Sequence, residues 1–148
     1  MYRRNSDHLQ FLLVHPGGPF FRNKDDGVWT IPKGEIGEQE DALAAAKREF
    51  GEEVGIKPEG KFIKLTPIQQ KGGKIVQAWA VEGDFDPAQL KSNFFVLEWP
   101  PRSGRSQEFP EVDRAEWFDP QNAKGKINPA QWPLLEELQH IVADSAAE

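Results

Sequence analysis

Apolar residues along this chain fall into short runs separated by glycine, proline and polar clusters, and the period of each run predicts its element. Residues 8–14 contain Phe11-Leu12-Leu13-Val14 and read as a strand, stopped by the turn cluster Pro16-Gly17-Gly18-Pro19. Residues 20–27 are a polar loop, and residues 28–31 a short strand before Pro32. The period then lengthens. Leu43, Ala46, Phe50 and Val54 fall on one stripe of a helix spanning 42–54, with Asp41 as N-cap and Gly55 as the residue just past its end. Gly51 interrupts that helix at a cost of about 1 kcal/mol relative to alanine. Residues 61–70 and 74–81 read as a hairpin around Gly72-Gly73, and 93–99 as a strand. A long loop is expected at 100–111 and a short strand at 115–118. A C-terminal helix over 129–143 carries Trp132, Leu135, Leu138 and Ile141 on its apolar side. Strands flanked by two well-separated helices predict an α/β architecture, a mixed sheet sandwiched between helical layers.

Composition narrows what such a domain does. A length of 148 residues suits one compact domain, and 38% hydrophobic with 28% charged residues describes a globular chain. The net charge of −6 offers no basic field, which speaks against nucleic acid and membrane surfaces as partners. With no cysteine, disulfides, thiolate catalysis and cysteine-bound zinc are excluded, in keeping with a cytoplasmic protein. Arg3 and Arg4 precede an apolar run too short for a signal peptide or a membrane span. The histidines, His8, His15 and His140, are scattered and suggest neither a triad nor a zinc site; His15, at a strand end, reads as structural.

The 42–54 helix carries a second pattern beside its apolar stripe. Glu49, Glu52 and Glu53 are related by i+3 and i+4 steps, so they neighbour one another on its surface. Like-charged neighbours of this kind cost roughly 0.2–0.5 kcal/mol per pair, and the last turns of a helix disfavour anions further. A solvated acidic face is the ordinary explanation of adjacent glutamates. A hard divalent cation held by oxygen ligands is the alternative that offsets the cost. The wider spacing favours the cation: Gly34, Glu40, Arg48, Glu49, Glu52, Glu53 and Gly55 stand at fixed intervals, with Phe50 and Ile56 at apolar positions. At background frequencies of roughly 5–7% per position, this arrangement arises on the order of once in 10⁹ windows. It resembles the signature of the Nudix hydrolases, without departure over residues 34–56.

The resemblance implies an α/β/α sandwich and a reaction in which water attacks a phosphorus of a diphosphate linked to another group, with Mg²⁺ or Mn²⁺ as cofactor. Carried over position by position, it makes Glu49, Glu52 and Glu53 metal ligands, joined by the backbone carbonyl of Lys33. Arg48 orients the carboxylates, although its ordinary reading is a surface ion pair with Glu52. Gly34 allows a tight turn, and Glu40 braces the loop. The resemblance also implies a glutamate on a loop ahead of a Glu-Trp strand; Glu111 fits best and Glu108 second, each otherwise a solvated acid. The general base is left open between a helix glutamate and Glu111. For substrate phosphates, Arg102 and Arg105 stand out in the 100–111 loop, with Lys33, Lys71 and Lys74 as helpers, and arginine suits bidentate phosphate recognition. Phe20, Phe21, Trp29 and Phe109 could stack a base, although aromatics beside strands are more often core. The partner is thus a small nucleotide or polyphosphate, and the oligomeric state is open. The segment from Trp29 to Glu35 looks like that of diadenosine-polyphosphate hydrolases, making diadenosine tetraphosphate the expected substrate. The alternatives are a nucleoside triphosphate pyrophosphatase, an RNA 5′-end pyrophosphohydrolase, and an inactive nucleotide-binding regulatory module.

Overall fold

The structure is a computed structural model that describes residues 1–5, 8–33, 41–70 and 72–147. Gly34, Glu40 and Lys71 therefore lie outside the described residues. The chain runs through β1 (Tyr2–Asn5), β2 (His8–Pro16), α1 (Ala42–Val54), β3 (Phe62–Lys64), β4 (Ile68–Gln69), β5 (Ile75–Val76) and β6 (Trp79–Val81). It continues with β7 (Phe94–Glu98), β8 (Ser106–Pro110), β9 (Val112–Phe118), α2 (Pro120–Lys126) and α3 (Trp132–Ala147). Strands β1, β2 and β9 form an antiparallel sheet with β2 at its centre. Parallel bridges from Tyr2 to Glu82 and from Trp29 to Ile127 give the assembly its mixed character.

Strand β2 shows why the architecture is a sandwich. Phe11, Leu12, Leu13 and Val14 are all buried, yet successive side chains of a strand point to opposite faces. Leu12 and Val14 pack with Phe50 and Val54 of α1, whereas Phe11 and Leu13 pack with Leu134, Leu135 and Leu138 of α3. The unbroken apolar run is the mark of a strand covered by a helix on each side. No helix among the described residues is long and apolar enough to cross a membrane.

The predicted bounds of α1 are those observed. Asp41 caps its start by accepting a hydrogen bond from the Ala44 amide, and Gly55 ends it in the left-handed conformation at φ 98°. Its buried residues are Ala45, Phe50 and Val54, while Leu43 and Ala46 are only half-buried, so the stripe is turned slightly from the expected one. The 61–81 hairpin is present but broken: β3 pairs with β6 and β4 with β5, and the register slips between them near Pro67. Three expectations are corrected. The strand expected at 28–31 is reduced to two isolated bridges, Val14↔Thr30 and Trp29↔Ile127. The 100–111 segment is not a long loop, because residues 106–110 form β8 and pair with β7 from Phe94↔Pro110 to Glu98↔Ser106. The C-terminal helix starts at Trp132, after a separate short turn of helix at Pro129–Gln131, and α2 and β1 were not foreseen.

The end of α1 yields a stability test. A Cβ at Gly55 would lie 2.7 Å from the Lys91 carbonyl oxygen, whereas one at Gly72 (φ 88°) would meet nothing within 4 Å. Both substitutions force an L residue into the left-handed region at a cost of about 1 kcal/mol, and Gly55→Ala adds a backbone clash, for a total of about 2–3 kcal/mol. Urea unfolding of the two alanine variants should therefore show the larger loss at residue 55; equal losses would mean that the Lys91 segment simply moves aside.

Candidate active site

The flank of α1 beside its buried stripe carries the three glutamates. Arg48 lies against two of them: its Nη1 is 2.7 Å from Glu49 Oε1 and donates to both oxygens of Glu52 at 3.1 Å. Arg48 thus makes the i,i+4 pair expected of a surface arginine and also links two of the candidate ligands. Glu53 turns the other way, where the backbone N–H of Lys33 donates to its Oε2 at 2.9 Å. That bond tethers the segment preceding residue 34 to the helix.

Glu111 reaches this flank through the backbone. The Asn93 N–H donates to the Glu52 carbonyl at 2.8 Å, and the Glu111 N–H donates to the Asn93 carbonyl at 2.8 Å. The Gly17 N–H then donates to the Glu111 carbonyl at 2.9 Å. One carbonyl near the helix C-terminus, left without an intrahelical partner, starts a hydrogen-bonded chain that ends at Gly17, just past β2. Asn93 had no signature in the sequence, because its contribution is made by the main chain.

Electrostatics records the resulting crowding. Burial, followed by the charges of Glu49 and Glu111, pushes the Glu53 carboxyl up to about 8, against the pull of the Lys33 amide. Burial and the charges of Glu49 and Glu52 likewise raise Glu111. Among the described residues no three carboxylate or imidazole side chains converge into a finished metal cage. The arrangement is an open acidic platform, with Arg48 bonded to two of its members.

A cleft of about 380 Å³ lies beside the platform. Lys33, Lys47 and Lys74 line it with Phe50, Phe62 and Trp79 and with buried apolar residues of the core, among them Leu12 and Leu135. Lys47 was not anticipated, although its place on α1 next to Arg48 was a usable signal. Lys33 belongs to both the cleft and the platform, since its amide holds Glu53. The other anticipated residues sit elsewhere. Arg102 and Arg105 occupy the exposed turn between β7 and β8, their amides donating to Glu98 Oε1 at 2.8 Å and Ser103 Oγ at 3.2 Å. They take no part in the hydrogen bonds that join the glutamates. Glu108 is exposed on β8. Trp29 and Phe109 are core residues, whereas Phe20 is exposed and packs edge-on against Trp99.

The sequence profile of the NUDIX domain matches residues 1–138. No curated protein sequence matches the chain. Among solved structures it is similar to a C. elegans Ap4A hydrolase binary complex, at 22% identity and TM-score 0.66, over 97% of this chain and 94% of that one. It is also similar to the NUDIX domain of Shewanella oneidensis NrtR complexed with ADP ribose, at 15% identity and TM-score 0.64, over 95% of this chain and 82% of that one. The E. coli ORF135 protein aligns at 23% identity and TM-score 0.57, over 99% of this chain and 90% of that one. These likenesses concern the fold, and the profile match extends over nearly the whole chain: it belongs to the NUDIX family of hydrolases, which act on diphosphate bonds with the help of divalent metal ions.

Proposed function

We propose that the chain is a Mg²⁺-dependent hydrolase of dinucleoside polyphosphates, with diadenosine tetraphosphate as its preferred substrate. The observation that carries this reading is the gathering of Glu111 with Glu49, Glu52 and Glu53, where burial first and then the neighbouring charges raise the proton affinities of Glu53 and Glu111. The donor set fits a hard cation: oxygen ligands only, strongly acidic, and open on one side. Glu49, Glu52, Glu53 and Glu111 would hold it, with the Lys33 carbonyl as a further ligand. A bound divalent cation supplies charge neutralisation on the phosphates and a more acidic attacking water.

The remaining work falls to the chain's own residues. Arg48 fixes the carboxylates of Glu49 and Glu52 by hydrogen bonding, and the Lys33 amide fixes Glu53. Half-exposed Glu111 or Glu52 takes the proton of the attacking water; a base works best when its proton affinity approaches the working pH, as burial and neighbouring charge favour at Glu111. Lys33 and Lys74, with Lys47, receive substrate phosphates along the cleft, and the aromatic residues in its lining suit a nucleobase. The exposed Arg102 and Arg105 would meet only a distal part of a long substrate. The Trp29–Glu35 segment supports the dinucleotide choice, as does the fold shared with the C. elegans Ap4A hydrolase.

Incubation with diadenosine tetraphosphate, ADP-ribose and nucleoside triphosphates in Mg²⁺ should show fastest turnover of the dinucleotide, with AMP and ATP as products. Glu52→Gln and Glu53→Gln should each lower kcat by roughly 10²–10⁴-fold while the protein stays folded. Full turnover in both variants would sink the metal assignment, and faster cleavage of ADP-ribose would replace the substrate.

Stability of the metal-free protein offers a separate reading of the platform. Glu53 is raised from 4.5 to about 8, so between those values the folded state binds more protons than the unfolded one. Its contribution to stability is fully present below about pH 4.5 and is lost as pH rises through about 8. Glu111 acts in the same direction. In EDTA, the melting temperature should therefore fall across this window by more in the wild type than in Glu53→Gln. Saturating Mg²⁺ should shrink the difference, and parallel profiles would show that Glu53 is not held in this environment.

A further inference from the structure

His15 is 1% exposed, yet both of its ring nitrogens are bonded. Nε2 lies 2.7 Å from the Lys24 carbonyl oxygen, which can only accept, so Nε2 carries a hydrogen. Nδ1 lies 2.7 Å from Asp113 Oδ1, within hydrogen-bond distance. The ring also packs edge-on against Trp29 at 5.2 Å, and the Trp29 indole N–H donates to Asp25 Oδ1 at 2.8 Å. The 20–27 loop is therefore tied to the core at two successive residues, Lys24 and Asp25.

Asp113 comes to His15 through a bulge. On β2 and β9, His15 pairs with Arg114 but the next residue, Pro16, pairs with Val112, which leaves Asp113 as the extra residue. A bulge of this kind re-aims a side chain and changes the direction of its strand. Here it turns the Asp113 carboxylate onto His15 and sets the path of the chain two residues earlier, at Glu111. Gly17 completes the junction. Its N–H donates to the Glu111 carbonyl, and a Cβ there would lie 1.9 Å from the Pro110 carbonyl oxygen, so only glycine permits the approach.

We infer that the His15–Asp113 pair is a positioning device that locks the bulge and so holds the Glu111 carboxylate against the α1 glutamates. The inference rests on the proposed hydrolase reading, and it adds two residues outside the 34–56 segment to the machinery. Neither touches substrate; both act through Glu111.

Asp113 is one-third exposed, so its replacement can be made without opening the core. Asp113→Ala should lower kcat for diadenosine tetraphosphate by roughly 10–100-fold, the scale of a small misplacement of a reacting group, with KM nearly unchanged. Asp113→Asn should restore most of it, because its amide donates to Nδ1 while Nε2–H keeps the Lys24 carbonyl. In a Glu111→Gln background, Asp113→Ala should have little further effect, since the two act in series. Thermal unfolding confirms that each variant is folded. An equal loss from Asp113→Ala with and without Glu111→Gln overturns the inference, as does unchanged kcat in folded Asp113→Ala. Should the wild type hydrolyse none of the nucleotides, the function is wrong, and the clamp is then judged by Mn²⁺ affinity, followed by the electron paramagnetic resonance of free Mn²⁺. Weaker Mn²⁺ binding in Asp113→Ala, abolished as a difference by Glu111→Gln, supports it; unchanged binding overturns it.

Discussion

The hydrogen-bonded chain from the Glu52 carbonyl through Asn93 and Glu111 to Gly17 is the constraint on which the rest of the site depends. Carboxylates that repel one another stay together only if a scaffold holds them, and surface side chains are free to swing apart. Here the scaffold is main chain. The end of α1, the residue before β7, the turn before β9 and the residue after β2 share one set of backbone bonds, so separating Glu111 from Glu52 requires breaking main-chain hydrogen bonds. The far side of α1 is anchored by Phe50 and Val54 against Leu12 and Val14, so the helix itself cannot yield. Burial first, and the neighbouring charges after it, raise the proton affinity of Glu53 and Glu111.

The sequence announced those elements whose signals are local. Asp41 and Gly55 bracket α1 with cap chemistry that acts within a few residues, and its bounds were read without error. Strand β2 was legible from four successive apolar residues. The hidden elements draw their stability from partners. Strand β8 reads Ser-Gln-Glu-Phe-Pro, without alternation and ending in proline, and becomes a strand because β7 pairs with it residue by residue. Helix α2 has almost no apolar period; the Asp119 cap and a proline in its first turn start it, and Ala123 alone is buried. The Gly51 position stays as it was in the sequence: a Cβ there would make only an ordinary contact with the Ile56 carbonyl, and nothing in the structure explains the glycine.

The site divides in the same way. Glu49, Glu52 and Glu53 were legible because helical spacing places them side by side. Glu111 was legible through its position before a Glu-Trp strand. Asn93, which joins it to the helix, contributes only its peptide group and leaves no trace in side-chain chemistry. His15 and Asp113 are 98 residues apart, so neither predicts the other until the register of β2 on β9 is known. Arg102 and Arg105 were singled out by chemistry that suits a phosphate, but their place in the fold was not legible: the segment expected to be a long loop is a paired hairpin that holds them in an exposed turn.

The cleft follows from a feature of α1 that carries no charge. Ala42, Ala45 and Ala46 border it, one to two turns ahead of the glutamates on the same side of the helix. Alanine is the best helix former, so these positions strengthen α1 while leaving room that leucine would fill. The same helix thus serves three neighbours: Phe50 and Val54 pack on the sheet, the glutamates with Arg48 form the platform in its last turns, and its first turns, with Lys47 and Phe50, line the cleft. The division also resolves the conflict between a net charge of −6 and an anionic substrate. The α1 glutamates stand together where a cation can offset them. Lys33, Lys47 and Lys74 line the cleft, where the remaining phosphates of the substrate would lie, and Lys33 joins the two by holding Glu53 with its amide.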